Sequence, residues 1–243
     1  MNAKDILNYV GDIIFPRQCP ACAEILDQPA RQFFCSSCSG RINFITDNFC
    51  PICGIPFFSS PAGSHICGDC LGNRPYFAQA RAVAGFETVI MEAIHKFKYS
   101  RSLSAGNALG CLMADFSFPD FVFSEYSLLI PVPLHIKRLR ERGFNQSLLL
   151  AREIGKKHEL PVNFSLLKRI KFTLTQTGLN KIEREKNIKG AFAVKDRKKV
   201  AGRNIILIDD VYTTGATINE CSRVLLKAGA QKVAVLTLSR VTQ

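Results

Sequence analysis

The segment Ile205-Ile-Leu-Ile-Asp-Asp-Val-Tyr-Thr-Thr-Gly-Ala-Thr217 constrains the fold more than any other stretch of the chain. Four consecutive aliphatic residues predict a strand covered on both faces, as in a parallel sheet. Asp209 and Asp210 leave that strand at its carboxyl end, where open α/β sheets place their ligands. Thr213, Thr214, Gly215, Ala216 and Thr217 predict a tight turn into a helix starting near Ile218. Small residues there let backbone N–H groups converge on an anion, and the helix start adds roughly half a positive charge. The pattern suits a sugar phosphate: the phosphate in the 213–217 turn, vicinal hydroxyls on the two carboxylates, and Mg²⁺ bridging nearby oxygens. An ordinary turn with an acidic cap would account for one aspartate but not for the whole string.

Eight of the ten cysteines form four Cys-x2-Cys pairs: Cys19/Cys22, Cys35/Cys38, Cys50/Cys53 and Cys67/Cys70. Such a turn places two thiolates on one cation, and eight thiolates suit two structural zinc ions. Two successive ribbons, 19–38 and 50–70, use the same ligands as an interleaved brace, and both pairings stay open. Disulfides are the alternative; without a recognisable secretory leader at Met1-Asn-Ala-Lys-Asp, a reducing compartment is expected and disfavours them. With four thiolates per ion, no coordination position is left for chemistry. His65, Cys111 and Cys221 are expected to be a surface residue and two core residues.

Charge divides the chain. Residues 1–75 hold five Lys/Arg against six Asp/Glu, whereas the remainder holds 27 against 14. A boundary near 75 is expected, giving a zinc-binding module over 1–75 and a larger basic domain over 76–243 that should attract phosphates or nucleic acid. No apolar run approaches the length of a membrane span. An amphipathic helix over 4–15 is expected to pack on the domain. Beyond the 205–217 segment, strands are expected at 80–86, 128–132, 163–167, 191–194 and 233–238. Helices are expected at 87–99, 103–116, 137–159 and 218–229. This alternation predicts an α/β fold, a mainly parallel sheet flanked by helices.

The 205–217 segment resembles the phosphoribosyl-pyrophosphate (PRPP) loop of type I phosphoribosyltransferases. Pro131-Val-Pro-Leu-His-Ile-Lys-Arg-Leu-Arg-Glu-Arg-Gly-Phe-Asn-Gln146 resembles the pyrophosphate loop of amidophosphoribosyltransferase-type domains, with Leu134 where that family often has an acidic residue. Residues 169–192 resemble its flexible closing loop. The resemblance implies catalytic or ribose-binding roles for Asp209 and Asp210, and phosphate contacts from Thr213 to Thr217 and from Val132, Pro133, Leu134, Lys137 and Arg138. It also implies loop roles for Gln176, Arg184, Asn187 and Lys189. The alternatives are a proline turn before a solvated basic helix, and a solvated helix.

The four cysteine pairs followed by these segments resemble the ComF/ComFC family of bacterial competence proteins, related to GntX-type proteins. The resemblance spans about residues 5–240. It implies a type I phosphoribosyltransferase-like fold behind a double zinc ribbon, two structural zinc ions, PRPP with Mg²⁺, and a role in natural transformation. It places the protein in the cytoplasm, at the inner face of the membrane beside other DNA-uptake proteins. Single-stranded DNA would track Arg138, Arg140, Arg142, Lys168, Arg169 and Lys171, with Phe33, Phe34, Phe49, Phe57, Phe58 and Phe144 as stacking candidates. Competing readings are an active phosphoribosyltransferase of unknown acceptor and a PRPP-sensing regulator, for which no DNA-reading helix pair stands out. A glutamine amidotransferase is disfavoured, because Met1-Asn2 offers no N-terminal cysteine nucleophile.

Overall fold

The computed structural model describes residues 17–26, 33–57, 63–99, 103–118, 120–172 and 181–242. The helix expected over 4–15, together with Phe58 and Gln176, lies outside them. The central sheet has four parallel strands in the order β1-β6-β5-β2: β1 is Gln79–Gly85, β2 Leu128–Pro131, β5 Asn204–Tyr212 and β6 Lys232–Arg240. A separate antiparallel pair joins β3 (Leu167–Arg169) to β4 (Phe192–Val194).

Side chains alternate across a strand, and β5 divides its aliphatics accordingly. Ile206 and Ile208 pack on one face with Ile90, Ile94, Leu109, Leu150 and Ile154. Those residues come from α3 (Thr88–Tyr99), α4 (Leu103–Asp115) and α6 (Gln146–Lys157). Ile205 and Leu207 pack on the other face with Ile218, Cys221 and Leu225 of α8 (Ala216–Lys227). Ile205, Ile206, Leu207 and Ile208 are all fully buried, as the unbroken apolar run predicts.

Two expectations are corrected. The helix over 137–159 is two helices, α5 (Ile136–Arg142) and α6, because Gly143 is left-handed at φ 84° and the Asn145 side chain caps a new start by accepting from Ser147 N–H. The strand over 163–167 is displaced to Leu167–Arg169, because the Asn163 carboxamide oxygen accepts from the N–H groups of Ser165 and Leu166 and turns the chain. Within the polar 172–190 segment, Lys181–Ile188 is helix α7.

The cysteine-rich segment contributes two short helices, α1 (Ser36–Ser39) and α2 (Gly68–Gly72), each starting directly after a cysteine. It covers the edge of β1 that would otherwise expose unpaired backbone groups. Ile45 N–H donates to Val83 O at 2.9 Å, Gly85 N–H to Asn43 O at 3.0 Å and Ala80 N–H to Ile52 O at 2.7 Å. Arg81, 3% exposed, lies over the Phe49 ring at 4.6 Å, donates to Pro51 O at 3.0 Å, and pairs with Asp120. Cys19, Phe34 and Ile42 share a core with α3 and α4, and Cys50, Ile52 and Cys53 share one with the opposite face.

Gly54 fixes how closely the second knuckle approaches β1. Its φ is +71°, and an added Cβ would overlap the Ala80 carbonyl oxygen. Gly54→Ala is therefore expected to destabilise the chain by about 2 kcal/mol in urea unfolding, whereas Gly68→Ala, which meets nothing within 4 Å, should shift it little.

Candidate functional site

The eight paired cysteines gather as two sets, Cys19/Cys22/Cys35/Cys38 and Cys50/Cys53/Cys67/Cys70, with the sulfurs of each set within 4.8 Å of one another. The pairing is sequential; the interleaved brace is not formed. Sulfurs sharing a tetrahedral zinc at ~2.3 Å stand about 3.8 Å apart, and Cys22 to Cys35 measures 3.6 Å and Cys53 to Cys67 3.7 Å. Cys67 N–H donates to Cys50 Sγ at 3.4 Å and Arg41 Nη2 to Cys38 Sγ at 3.6 Å. Both contacts favour thiolates, so each set fits one structural zinc ion. His65 stacks on Phe57 with centroids 4.0 Å apart and belongs to neither set. Cys221 is fully buried, and burial pushes its thiol well above the usual range. Cys111 is half-buried, and burial with Glu153 beside it pushes its thiol up to about 11.

Asp209 and Asp210 lie at the carboxyl end of β5, where β2 has already stopped: the last β2 pairing is Pro131 with Ile208. Both are half-buried. Asp209 Oδ1 accepts from Ser147 Oγ at 2.9 Å and from the Asp210 N–H at 3.0 Å. Asp210 Oδ2 pairs with Lys98 Nζ, on the last turn of α3, at 2.6 Å. Burial, reinforced by the neighbouring Asp210 carboxylate, pushes the Asp209 carboxyl up to about 7. One carboxylate is thus neutralised by a lysine and the other sits near its titration point, a site suited to taking hydroxyl groups or a cation.

The strand continues to Tyr212, and the turn Thr213-Thr214-Gly215 leads into α8. Gly215 is left-handed at φ +77°, and a Cβ there would overlap the Tyr212 hydroxyl. Thr213 is exposed, and Thr214 Oγ1 is buried with no hydrogen-bond partner among the described residues. An orphaned hydroxyl beside a helix start is suited to an anion.

The 131–142 loop adds cations unequally. Val132 is buried; its N–H donates to Ile208 O at 2.9 Å and its carbonyl accepts from Asn145 Nδ2 at 3.0 Å, so it anchors the loop and has no donor left for phosphate. Pro133 and Leu134 are half-buried, Lys137 and Arg140 exposed, Arg138 and Arg142 half-buried. Lys168 and Lys171 are exposed, but Arg169 is half-buried over the Phe192 ring at 5.5 Å. Burial, with Arg138 beside it, holds the Arg169 guanidinium below its usual range, and Asp209 acts on it in the opposite direction. Arg169 is therefore more buried than Lys168 and Lys171 and lies within electrostatic reach of Asp209. At the C-terminal end of the 169–192 segment, Glu220 of α8 accepts from Gly190 N–H at 2.7 Å and from Arg223. Lys189 is exposed beside it, Asn187 is half-buried, and the Arg184 side chain lies outside the description.

Sequence reasoning missed Ser147, Lys98, Tyr99 and Phe172. Phe172 is exposed, lies under Lys137 Nζ at 4.7 Å and meets the His135 ring at 5.1 Å; Tyr99 is exposed beside Arg142 at 5.9 Å. Phe34 and Phe49 are buried, and Phe33, Phe57 and Phe144 half-buried.

Comparison with known proteins is consistent with this architecture. The double zinc ribbon domain family matches residues 10–71 and the phosphoribosyl transferase domain family residues 145–242. DNA utilization protein YhgH of Escherichia coli (strain K12) is 33% identical over 217 residues, which are 85% of this chain and 89% of that protein. Competence protein ComFC of Bacillus subtilis (strain 168) is 32% identical over 217 residues, 85% of this chain and 83% of that one. The chain belongs to the ComF/ComFC family. Competence protein F of Haemophilus influenzae is 28% identical over 229 residues, 86% of this chain and 97% of that protein. In this chain a double zinc ribbon precedes a phosphoribosyltransferase-like sheet.

Two outcomes are expected for this ComF/ComFC-family chain. Cys50→Ser should lower bound zinc from about two ions per chain to about one, read by metal analysis, and cut stability by several kcal/mol. Asp209→Asn keeps an acceptor for Ser147 and removes the charge. A carboxyl raised in the fold stabilises it fully below its ordinary range near 3.8 and loses that contribution as pH rises through about 7. Wild type should therefore lose stability relative to Asp209→Asn between about pH 4 and pH 7, measured as unfolding midpoints across that range.

Proposed function

We propose that this protein binds PRPP with Mg²⁺ and single-stranded DNA, and supports the handling of incoming DNA in natural transformation alongside other uptake proteins at the inner face of the membrane. The observation carrying the proposal is the convergence at the carboxyl end of β5 of a half-neutralised Asp209/Asp210 pair and a helix-heading Thr-Thr-Gly turn whose buried Thr214 hydroxyl has no partner among the described residues. The names of the relatives, competence and DNA utilization proteins, support the biological part. No helix among the described residues is long and apolar enough to cross a membrane.

In this reading the 5-phosphate lies against the 213–217 amides and the Thr214 hydroxyl, and Asp209 and Asp210 accept from the ribose hydroxyls. Ser147 and Lys98 hold the carboxylates in place. Magnesium, bound with PRPP, would screen its pyrophosphate charge. Arg138 and Arg169 would meet the pyrophosphate from the crevice side. Single-stranded DNA would follow Arg140, Lys168 and Lys171, with bases stacking on Phe172 and Tyr99, whose neighbouring cations favour such contacts. These two exposed aromatics are better placed as platforms than Phe34 and Phe49, which are buried, or Phe33 and Phe57, which are half-buried.

A second reading, phosphoribosyl transfer to an acceptor, is favoured by Arg169. A half-buried guanidinium within electrostatic reach of Asp209 stands where a leaving pyrophosphate would need positive charge. Pyrophosphate release from PRPP with a panel of bases and amines separates transfer from binding alone.

Isothermal calorimetry with PRPP and Mg²⁺ is expected to show saturable heat for the wild type and none for the Asp209→Asn/Asp210→Asn double variant. Equal heats in a folded double variant would refute the site. For DNA, log affinity should fall with log salt at a slope of about −3 if four or five phosphates are contacted. Phe172→Ala should weaken single-strand binding about tenfold; a flat salt response would count against a phosphate-tracking surface.

A further inference from the structure

We infer that Tyr212 and Arg240 are positioning residues through which the second thiolate cluster, Cys50/Cys53/Cys67/Cys70, sets the geometry of the Thr213–Thr217 turn. The inference rests on the proposed phosphate role of that turn for its functional meaning, but its structural part is independent of any ligand.

Arg240 ends β6, where its Cα partners are Tyr212 of β5 and Gly85 of β1. It is 4% exposed, and its guanidinium donates through Nη1 to the Cys53 carbonyl oxygen and lies over the Tyr212 ring at 4.5 Å. No carboxylate pairs with it among the described residues, whereas its charge acts directly on the Cys53 thiol. A zinc ion held by four thiolates carries two net negative charges, so the loaded cluster is the natural counter-charge for this buried cation.

Tyr212 is the next link. It is buried, lies within electrostatic reach of Cys53, Cys70 and Cys67, and meets the Phe77 ring edge-on at 6.3 Å. On its other side the hydroxyl fills the space beside Gly215, the left-handed residue that starts α8. The turn is therefore bounded by a tyrosine that lies under Arg240, meets Phe77 and shares a core with Cys50, Cys53 and Cys70. A second tie runs alongside: Tyr76 N–H, six residues after Cys70, donates to Asn219 Oδ1 of α8 at 2.7 Å. The first cluster packs elsewhere, on the α3/α4 face, with Lys96 donating to the Ala21 carbonyl.

The test uses the full zinc-loaded chain and needs no ligand. Amide hydrogen exchange is followed at 213–217 in the wild type, Arg240→Met, Arg240→Lys, Cys70→Ser and Cys22→Ser, with zinc counted in each. Exchange at 213–217 is expected to rise at least about tenfold in Arg240→Met and Cys70→Ser, with β5 amides 205–208 staying protected. Lysine, which restores charge and a donor to the Cys53 carbonyl, should recover most of the protection, and Cys22→Ser should leave the turn unchanged. Wild-type rates in Arg240→Met, or equal acceleration in the two cysteine variants, would overturn the inference. Should a variant fail to fold, wild type under limiting chelator decides. Exchange at 213–217 must then follow loss of the second zinc and not the first, each loss read by alkylation of its own cysteines. Calorimetry with PRPP and Mg²⁺ on the same samples separates the two claims: no wild-type heat defeats the PRPP reading, while the exchange data still judge the positioning role.

Discussion

The site depends on one mismatch of strand lengths. β5 stays paired with β6 to Tyr212, but its pairing with β2 stops at Ile208. Beyond that point one flank of β5 has no strand beside it, and the chain there carries Asp209 and Asp210. β2 turns away at Pro131-Val-Pro133 and leaves a gap beside β5, where Ser147 at the start of α6 donates to Asp209 and Arg169 lies within electrostatic reach of it. Crevices of this kind beyond the carboxyl ends of parallel strands are where α/β folds bind ligands.

The zinc-binding segment solves a different problem at the opposite edge. A four-stranded sheet has two edges, and β1 is one of them. Residues 43–45 and Ile52 hydrogen-bond along it, and two thiolate sets hold a segment with little aliphatic content in the shape that makes this fit possible. Six of its eight paired cysteines, Cys19, Cys35, Cys38, Cys50, Cys53 and Cys70, are buried in the same cores as the sheet helices. Metal binding and folding of the larger domain are therefore energetically linked, since each set organises residues that also complete a core.

Much of this was legible in the sequence, for identifiable reasons. The β5 aliphatic run and the punctuation that follows it are local signals, and the eight ligands declare themselves by spacing. The pairing of those ligands does not, because both arrangements use the same residues and only tertiary packing chooses. The break at Gly143 was hidden by a helical pattern continuing on both sides, and the Asn163 turn shifted a strand that apolar content alone placed too early. Ser147 and Lys98 were invisible because each meets its aspartate from a distant part of the chain. Arg169 reads as one more surface cation until β3 and β4 pair and carry it inward. Phe34 and Phe49 read as stacking surfaces because composition does not distinguish a buried ring from an exposed one.

The central claim is that the carboxylates and the threonine–glycine turn form one receptacle for a 5-phosphorylated pentose. A crystal structure with PRPP and Mg²⁺ soaked into the zinc-loaded protein tests it most directly. The phosphate is expected against the 213–217 amides with the ribose hydroxyls within hydrogen-bond distance of Asp209 and Asp210. A fully occupied ligand seated away from β5, or a phosphate outside the turn with both aspartates untouched, would contradict it.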